Sequence, residues 1–241
     1  MKAMILAAGE GKRMRPLTDT MPKPLLPIQG KAIIEHHLDR LALAGFEQCV
    51  INVSYLGEDI VNYLDARVKP ALNVQFSREA EPLETGGGIF NALPLLGSKP
   101  FVLVNGDVWT DYPFQGLALP KGMLAHMVLV ENPPQHVGGD FAFAPASEQT
   151  ASQANGSESR GQPRRGLLMT EGEEQYTYSG IAVLDPLLFA GCQPGYFPLP
   201  PLFRKAMQSG QVSGELYQGR WFDIGTPTRL DEINQLLAGA E

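Results

Sequence analysis

The sequence predicts an α/β fold with a mixed, mostly parallel sheet flanked by helices, and three observations lead to it. Short apolar runs alternate with segments of helical periodicity through the first half of the chain. A loop rich in glycine and cations follows the first apolar run, and an acid, Asp107, closes the fourth. Ligands in such folds gather at the carboxyl ends of the strands, which is where both features fall. The 241 residues, 44% of them apolar, suffice for one substantial core, so a single domain over 1–241 is expected.

The elements follow in order. "KAMILAA" reads as a buried strand, and "AIIEHHLDRLALAG" places Ile34, Leu38 and Leu41 at helical spacing with Gly45 as the residue after its C-cap. "CVINVS" (49–54) is a strand, Ile60, Leu64 and Val68 mark a helix, and "LNVQFS" (72–77) is a strand again. "GIFNALPLL" (88–96) is a short helix before the strand "FVLVNGD" (101–107). The second half is less regular. "AHMVLV" (125–130), "DFAFA" (140–144) and "TYSGIAVLD" (177–185) read as strands of a mixed extension. Between them, 145–166 is rich in Ser, Gln, Gly and Pro and nearly free of apolar side chains, which predicts a polar surface loop within the domain. "PPLFRKAMQSG" resumes a helix, and Thr226-Pro227 supplies an N-cap and first-turn proline for a terminal helix carrying Leu230, Ile233 and Leu237.

Composition narrows the function. A net charge of −7 argues against a nucleic-acid partner bound through a broad basic surface. The apolar run Met4 to Ala8 is too short for a membrane span or a signal peptide, so a cytoplasmic location without a membrane partner is expected. Nothing in the chain indicates an obligate protein partner. Cys49 and Cys192 have no partner motif and read as free thiols.

The loop "GEGKRMRPLT" asks for an anion. Gly9 and Gly11 let the backbone approach a phosphate, and Lys12, Arg13 and Arg15 supply positive charge. It is neither a dinucleotide fingerprint nor a P-loop, because position 14 is methionine and Pro16 stands four residues beyond Lys12. In "PKP", prolines on both sides of Lys23 restrict the backbone that presents one cation. Asp107 at a strand end and Asp223 before an Ile-Gly-Thr turn are hard oxygen donors of the kind Mg²⁺ uses alongside substrate phosphates. Asp111 reads as a support for the loop after Asp107. None of the four histidines is assigned to proton abstraction.

Together, "LAAGEGKRMRPLTDTMPKPLLPI", "FVLVNGD" and "WFDIGTP" resemble the signature of the sugar-1-phosphate nucleotidylyltransferases over essentially the whole chain except the polar segment. The resemblance implies a GT-A-like, Rossmann-type fold. It also implies reaction of a nucleoside triphosphate with a sugar 1-phosphate to give a nucleotide sugar and pyrophosphate. By matched motif, Ala8, Gly9, Gly11 and Arg13 surround the nucleotide, Lys23 holds the triphosphate, and Asp107 and Asp223 bind Mg²⁺; Arg13, Lys23, Asp107 and Asp223 form the catalytic set. Glu79 falls where the family often reads the nucleobase with glutamine, and Gly86 and Gly87 allow close backbone approach. A carboxylate only accepts, so Glu79 favours the N3–H of uracil or thymine over cytosine, with guanine and a role for Glu81 left open. The resemblance further implies UTP and an N-acetylated sugar 1-phosphate as substrates, the alternatives being a glucose-1-phosphate uridylyl- or thymidylyltransferase, or a nucleotide-sugar sensor without turnover. Asn105, Asp140, Ser179 and Gly180 are the candidates for the sugar. Many relatives hold the acceptor phosphate with a lysine, yet no lysine occurs from Gly122 through Arg204, which leaves the contact to the bound metal or to an arginine, with Arg164, Arg165, Arg204 and Arg220 as unranked candidates.

Overall fold

The computed structural model describes residues 1–66, 72–145 and 163–239. Val68 and most of the polar segment, 146–162, lie outside these residues. In chain order the elements are β1 (Lys2–Leu6), β2 (Pro27–Ile28), β3 (Lys31–Ala32), α1 (Ile33–Leu43), β4 (Gln48–Val53), α2 (Gly57–Ala66), β5 (Asn73–Arg78), α3 (Glu84–Leu96) and β6 (Phe101–Asn105). They continue with β7 (Val108–Thr110), β8 (Ala125–Val130), β9 (Phe141–Phe143), β10 (Arg165–Met169), β11 (Gln175–Leu184), α4 (Pro200–Gln208), β12 (Val212–Tyr217), β13 (Trp221–Asp223) and α5 (Pro227–Ala238).

The main sheet has nine strands in the order β5-β4-β1-β6-β11-β8-β12-β10-β9. Its first four strands are parallel, as the strand–helix alternation requires. β11 then joins antiparallel to both β6 and β8, which makes the second half mixed. Side chains of one strand part to opposite faces: Met4 and Leu103 pack with Ile89 and Leu96 of α3 and Phe203 of α4, while Ala3, Ile5, Val102 and Val104 pack with Leu38 of α1 and Ile60 of α2. A third cluster joins Met14, Trp109 and Ile224 to Leu230 and Ile233 of α5. Among the described residues no helix is long and apolar enough to cross a membrane.

Several boundaries differ from the sequence reading. α3 begins at Glu84, so the three glycines 86–88 lie inside the helix. Glycine is a poor helix former, but here tight packing decides: a Cβ at Gly86 would lie 2.5 Å from Phe197 and one at Gly87 would lie 2.1 Å from the Gly195 carbonyl oxygen. Arg165 and Gly166, the end of the polar segment, belong to β10. The strands of the ribbon β7–β13, three residues each, are too short for periodicity to announce, and in β12 Ser213, Gly214 and Glu215 interrupt the apolar run.

Candidate active site

The parallel strands end together. Register aligns Leu6 of β1 with Asn52 of β4 and Asn105 of β6, and a cleft of about 740 Å³ opens beyond them. One wall is the loop after β1. Gly11 has φ of 63°, the left-handed region, and its carbonyl accepts from the buried Thr18 hydroxyl at 2.9 Å; a Cβ there would lie 2.9 Å from Thr18 Cγ2. Ala8, Gly9, Gly11 and Arg13 all line the cleft. Lys12 pairs with Glu10 and Arg15 with Asp19, whereas the exposed Arg13 has no side-chain partner among the described residues.

Lys23 is the buried cation, only 8% exposed, and its Nζ donates to Asp107 Oδ2 at 2.8 Å. Asp107 lies two residues beyond the end of β6 and stands between the cleft and a second cavity of about 200 Å³, lining both together with Asn105. Asp223 lines the second cavity. The two acids are brought together by the ribbon: β7 starts one residue after Asp107, β13 ends at Asp223, Asp223 is registered with Val108, and the Ile224 amide donates to the Asp107 carbonyl at 2.9 Å. Asp223 also accepts from Arg229 Nη1 in the first turn of α5.

No group of three or more His, Cys, Asp or Glu side chains suited to a metal occurs among the described residues. Asp107, which lines both cavities, and Asp223, which lines the smaller one, are nonetheless donors of the kind a hard divalent cation uses when it takes its remaining oxygens from substrate phosphates and water. Lys23 and Arg229 beside them limit the repulsion between the two acids.

The wall at the end of β5 differs from the expectation. Glu79 lines the cleft but is buried, and both oxygens already have donors: Asn52 Nδ2 at 2.7 Å and the Leu83 amide at 3.0 Å. Asn52 in turn accepts from the Ala7 amide at 2.8 Å, so the pair ties β4, the glycine loop and the start of α3 together. Glu81, exposed, lines the same cleft, as do Glu84 and Thr85. Gly86 and Gly87 do not line it; they face the 195–197 segment.

Ser179 and Gly180 line the second cavity, beside an irregularity in the pairing of β11 with β8. Gly180 has φ of 81° and a Cβ on it would lie 2.8 Å from the Asn105 side chain, which is how the bend admits Asn105. The Ser179 hydroxyl donates to the Val128 carbonyl at 2.7 Å, so that side chain is spent inside the sheet. Asp140 accepts from the Tyr178 amide at 2.8 Å and pairs with His136, which lines the cavity. The four arginines offered for the acceptor phosphate line neither cavity. Arg164 stacks on Phe143 and pairs with Glu174, Arg165 pairs with Glu215, Arg220 pairs with Asp111, and Arg204 is exposed on α4.

Asn52, Arg229 and His136 were missed. A polar residue inside the apolar run of β4 was the available signal for Asn52; the other two act through contacts that no local pattern carries.

A strand-end cleft with a glycine loop, a buried lysine and two acids has the chemistry to receive a phosphate-bearing ligand, and the comparisons with known proteins give the family. Residues 2–121 match the nucleotidyl transferase family model. The chain belongs to this family, among the sugar-1-phosphate nucleotidylyltransferases. It is 45% identical over 247 aligned positions to the N-acetylmuramate α-1-phosphate uridylyltransferase of Neisseria meningitidis serogroup B, covering 100% of this chain and 99% of that protein. A protein of the same description from Caulobacter vibrioides is 33% identical, with 93% and 92% covered. A UDP-glucose pyrophosphorylase solved with UDP-glucose superposes with a TM-score of 0.77 at 17% identity, covering 100% of this chain and 99% of that one, a likeness of fold.

Proposed function

We propose that the chain transfers UMP from UTP to N-acetylmuramic acid α-1-phosphate, yielding UDP-N-acetylmuramic acid and pyrophosphate, as a step of cell-wall sugar recycling in the cytoplasm. The end-to-end likeness to the Neisseria meningitidis uridylyltransferase carries this reading. In it the larger cleft takes the nucleotide and the smaller cavity the sugar, with the reacting phosphates meeting at Asp107, which lines both. Two free cysteines, one buried, suit a reducing compartment.

The chain's own groups divide the work. Arg13 and the glycine loop receive the triphosphate, and Lys23 offsets charge on the departing pyrophosphate side. An acceptor phosphate oxygen is already anionic, so it forms its bond to the α-phosphorus as the bond to pyrophosphate breaks, and no general base is needed. Catalysis is then alignment and electrostatics. Asp107 and Asp223 would hold Mg²⁺, which when bound neutralises phosphate charge and orients the oxygens around the α-phosphorus. Arg229 holds the Asp223 side chain in place.

The acceptor test is direct. With UTP and magnesium fixed, pyrophosphate release is measured over a range of each sugar phosphate. kcat/KM for N-acetylmuramic acid 1-phosphate should exceed that for N-acetylglucosamine 1-phosphate by about 10-fold or more, the reach of one well-placed charge-assisted hydrogen bond. Equal efficiencies would refute the muramate assignment.

A further inference from the structure

The second cavity has an uneven charge. Asp107 and Asp223 stand on its one side, and the loop 131–140 between β8 and β9 supplies Pro133, Gln135 and His136. Among the described lining residues, His136 is the one side chain able to carry a positive charge. An acceptor bearing both a phosphate and a second acidic group presents two anions to this space. The phosphate must lie toward the two aspartates and any cation they hold, because that is where the nucleotide cleft opens. The second anion then needs its own donor away from them.

The loop is built to present that donor. His136 Nε2 lies 3.0 Å from Asp140 Oδ1, and since a carboxylate only accepts, Nε2 carries the hydrogen. Asp140 is itself fixed, accepting from the Tyr178 amide at 2.8 Å and donating its own amide to the Tyr176 carbonyl at 2.9 Å. Asn132 ties the other end: its Nδ2 donates to the Val137 carbonyl at 3.2 Å and the Gln175 carbonyl at 2.8 Å, and its Oδ1 accepts from the Thr177 hydroxyl at 2.9 Å. With Nε2 committed to Asp140 the ring is oriented and Nδ1 is the ring nitrogen left for a ligand; it donates to an anion only when both ring nitrogens carry hydrogen, whereas with Nε2 alone protonated it offers a lone pair. We infer that His136 is the specificity residue of the acceptor site: it recognises a carboxylate on the sugar, and Asp140 is the positioning residue that holds its ring. The inference rests on the uridylyl-transfer reading above and adds the group that selects the acid sugar.

The test compares two acceptors in three proteins. In wild type and in His136→Ala and His136→Lys, kcat/KM is measured for N-acetylmuramic acid 1-phosphate and for N-acetylglucosamine 1-phosphate at saturating UTP and magnesium. In His136→Ala the ratio of the two should fall about 10-fold. The loss should sit in the KM for the acid sugar and leave the KM for UTP unmoved, since His136 does not line the nucleotide cleft. His136→Lys should recover most of the ratio by restoring a cation. A His136→Ala ratio within 2-fold of wild type, in an enzyme that does prefer the acid sugar, overturns the inference alone. A wild-type ratio near one overturns the acceptor reading and the inference with it.

Discussion

His37 of α1 is only 1% exposed, and neither ring nitrogen makes a well-formed hydrogen bond among the described residues, although the Val108 backbone lies near enough to oppose part of the effect of burial. Burial lowers its pKa from 6.5 to about 4. The unfolded chain therefore takes up a proton first as pH falls, so this contribution to stability is complete above about 6.5 and is lost as pH drops toward 4. Between pH 7 and pH 5 the loss should be about 2 kcal/mol. Glu215 does not contaminate that window. Burial pushes its carboxyl up, but His126, Tyr112 and Arg165 more than offset this and bring it to about 2, so its contribution fades only below about 4.5. Urea denaturation of wild type and His37→Leu at pH 7 and pH 5 checks the point: the variant should lose the His37 part of the pH dependence and keep the part that His36, whose pKa burial also lowers from 6.5, contributes in the same window, and an unchanged difference would contradict it. At the same scale, the residues legible in the sequence were those whose neighbours constrain them, Lys23 between prolines and Asp107 at a strand end. Glu79 was legible as a cleft residue, but its two oxygens are taken by Asn52 and the Leu83 amide, partners that only the tertiary fold supplies.

The ribbon β7–β13 is the element on which the site depends, because its register sets how Asp107 and Asp223 face each other. Its far end is locked. Asp111 accepts from Tyr217 Oη at 2.5 Å, the Arg220 amide at 2.7 Å and Arg220 Nε at 3.3 Å, while its own amide donates to the Arg220 carbonyl at 3.1 Å. Burial, and then the Asp111 carboxylate, raise the pKa of the Tyr217 phenol and keep it a donor. Tyr217 ends β12, so the lock joins the ribbon to the main sheet. Asp111→Asn places an amide donor among donors and should cost about 1–3 kcal/mol of stability. It should also raise the magnesium concentration needed for half-maximal rate several-fold, since the two acids lose their fixed spacing. Titration of the rate with magnesium checks this; a variant that is less stable but keeps the wild-type magnesium response would show that the lock is structural only. Helices with clean 3.6-residue periodicity, such as α1, and a capped one, α5, could be read in advance, with Thr226 Oγ1 accepting from the Arg229 amide at 3.4 Å. β12 could not, because Ser213 and Glu215 are buried polar residues whose partners, His126 and Tyr112, come from other elements.

At the scale of the whole molecule, the parallel half of the sheet forms the larger cleft at its strand ends, and the smaller cavity is walled by β11, the 131–140 loop and β13. Asn105 and Asp107, at and just beyond the end of β6, sit on the seam between them. The parallel half and its glycine loop were plain in the sequence through their alternation. The mixed half was legible only in part, since β12 buries Ser213 and Glu215, polar residues whose partners come from elsewhere in the chain. The central proposal is that a molecule arranged this way joins two phosphate-bearing substrates at one pair of acids. Pyrophosphate release from UTP, magnesium and N-acetylmuramic acid 1-phosphate, measured in wild type, Asp107→Asn and Asp223→Asn, tests it most directly. Wild type should release pyrophosphate only when all three components are present, and each variant should turn over at least ~100-fold more slowly at saturating substrates and magnesium, the scale of losing one strong electrostatic contact in the transition state. Near-normal turnover in either variant, or no acceptor-dependent release by wild type, would contradict the account.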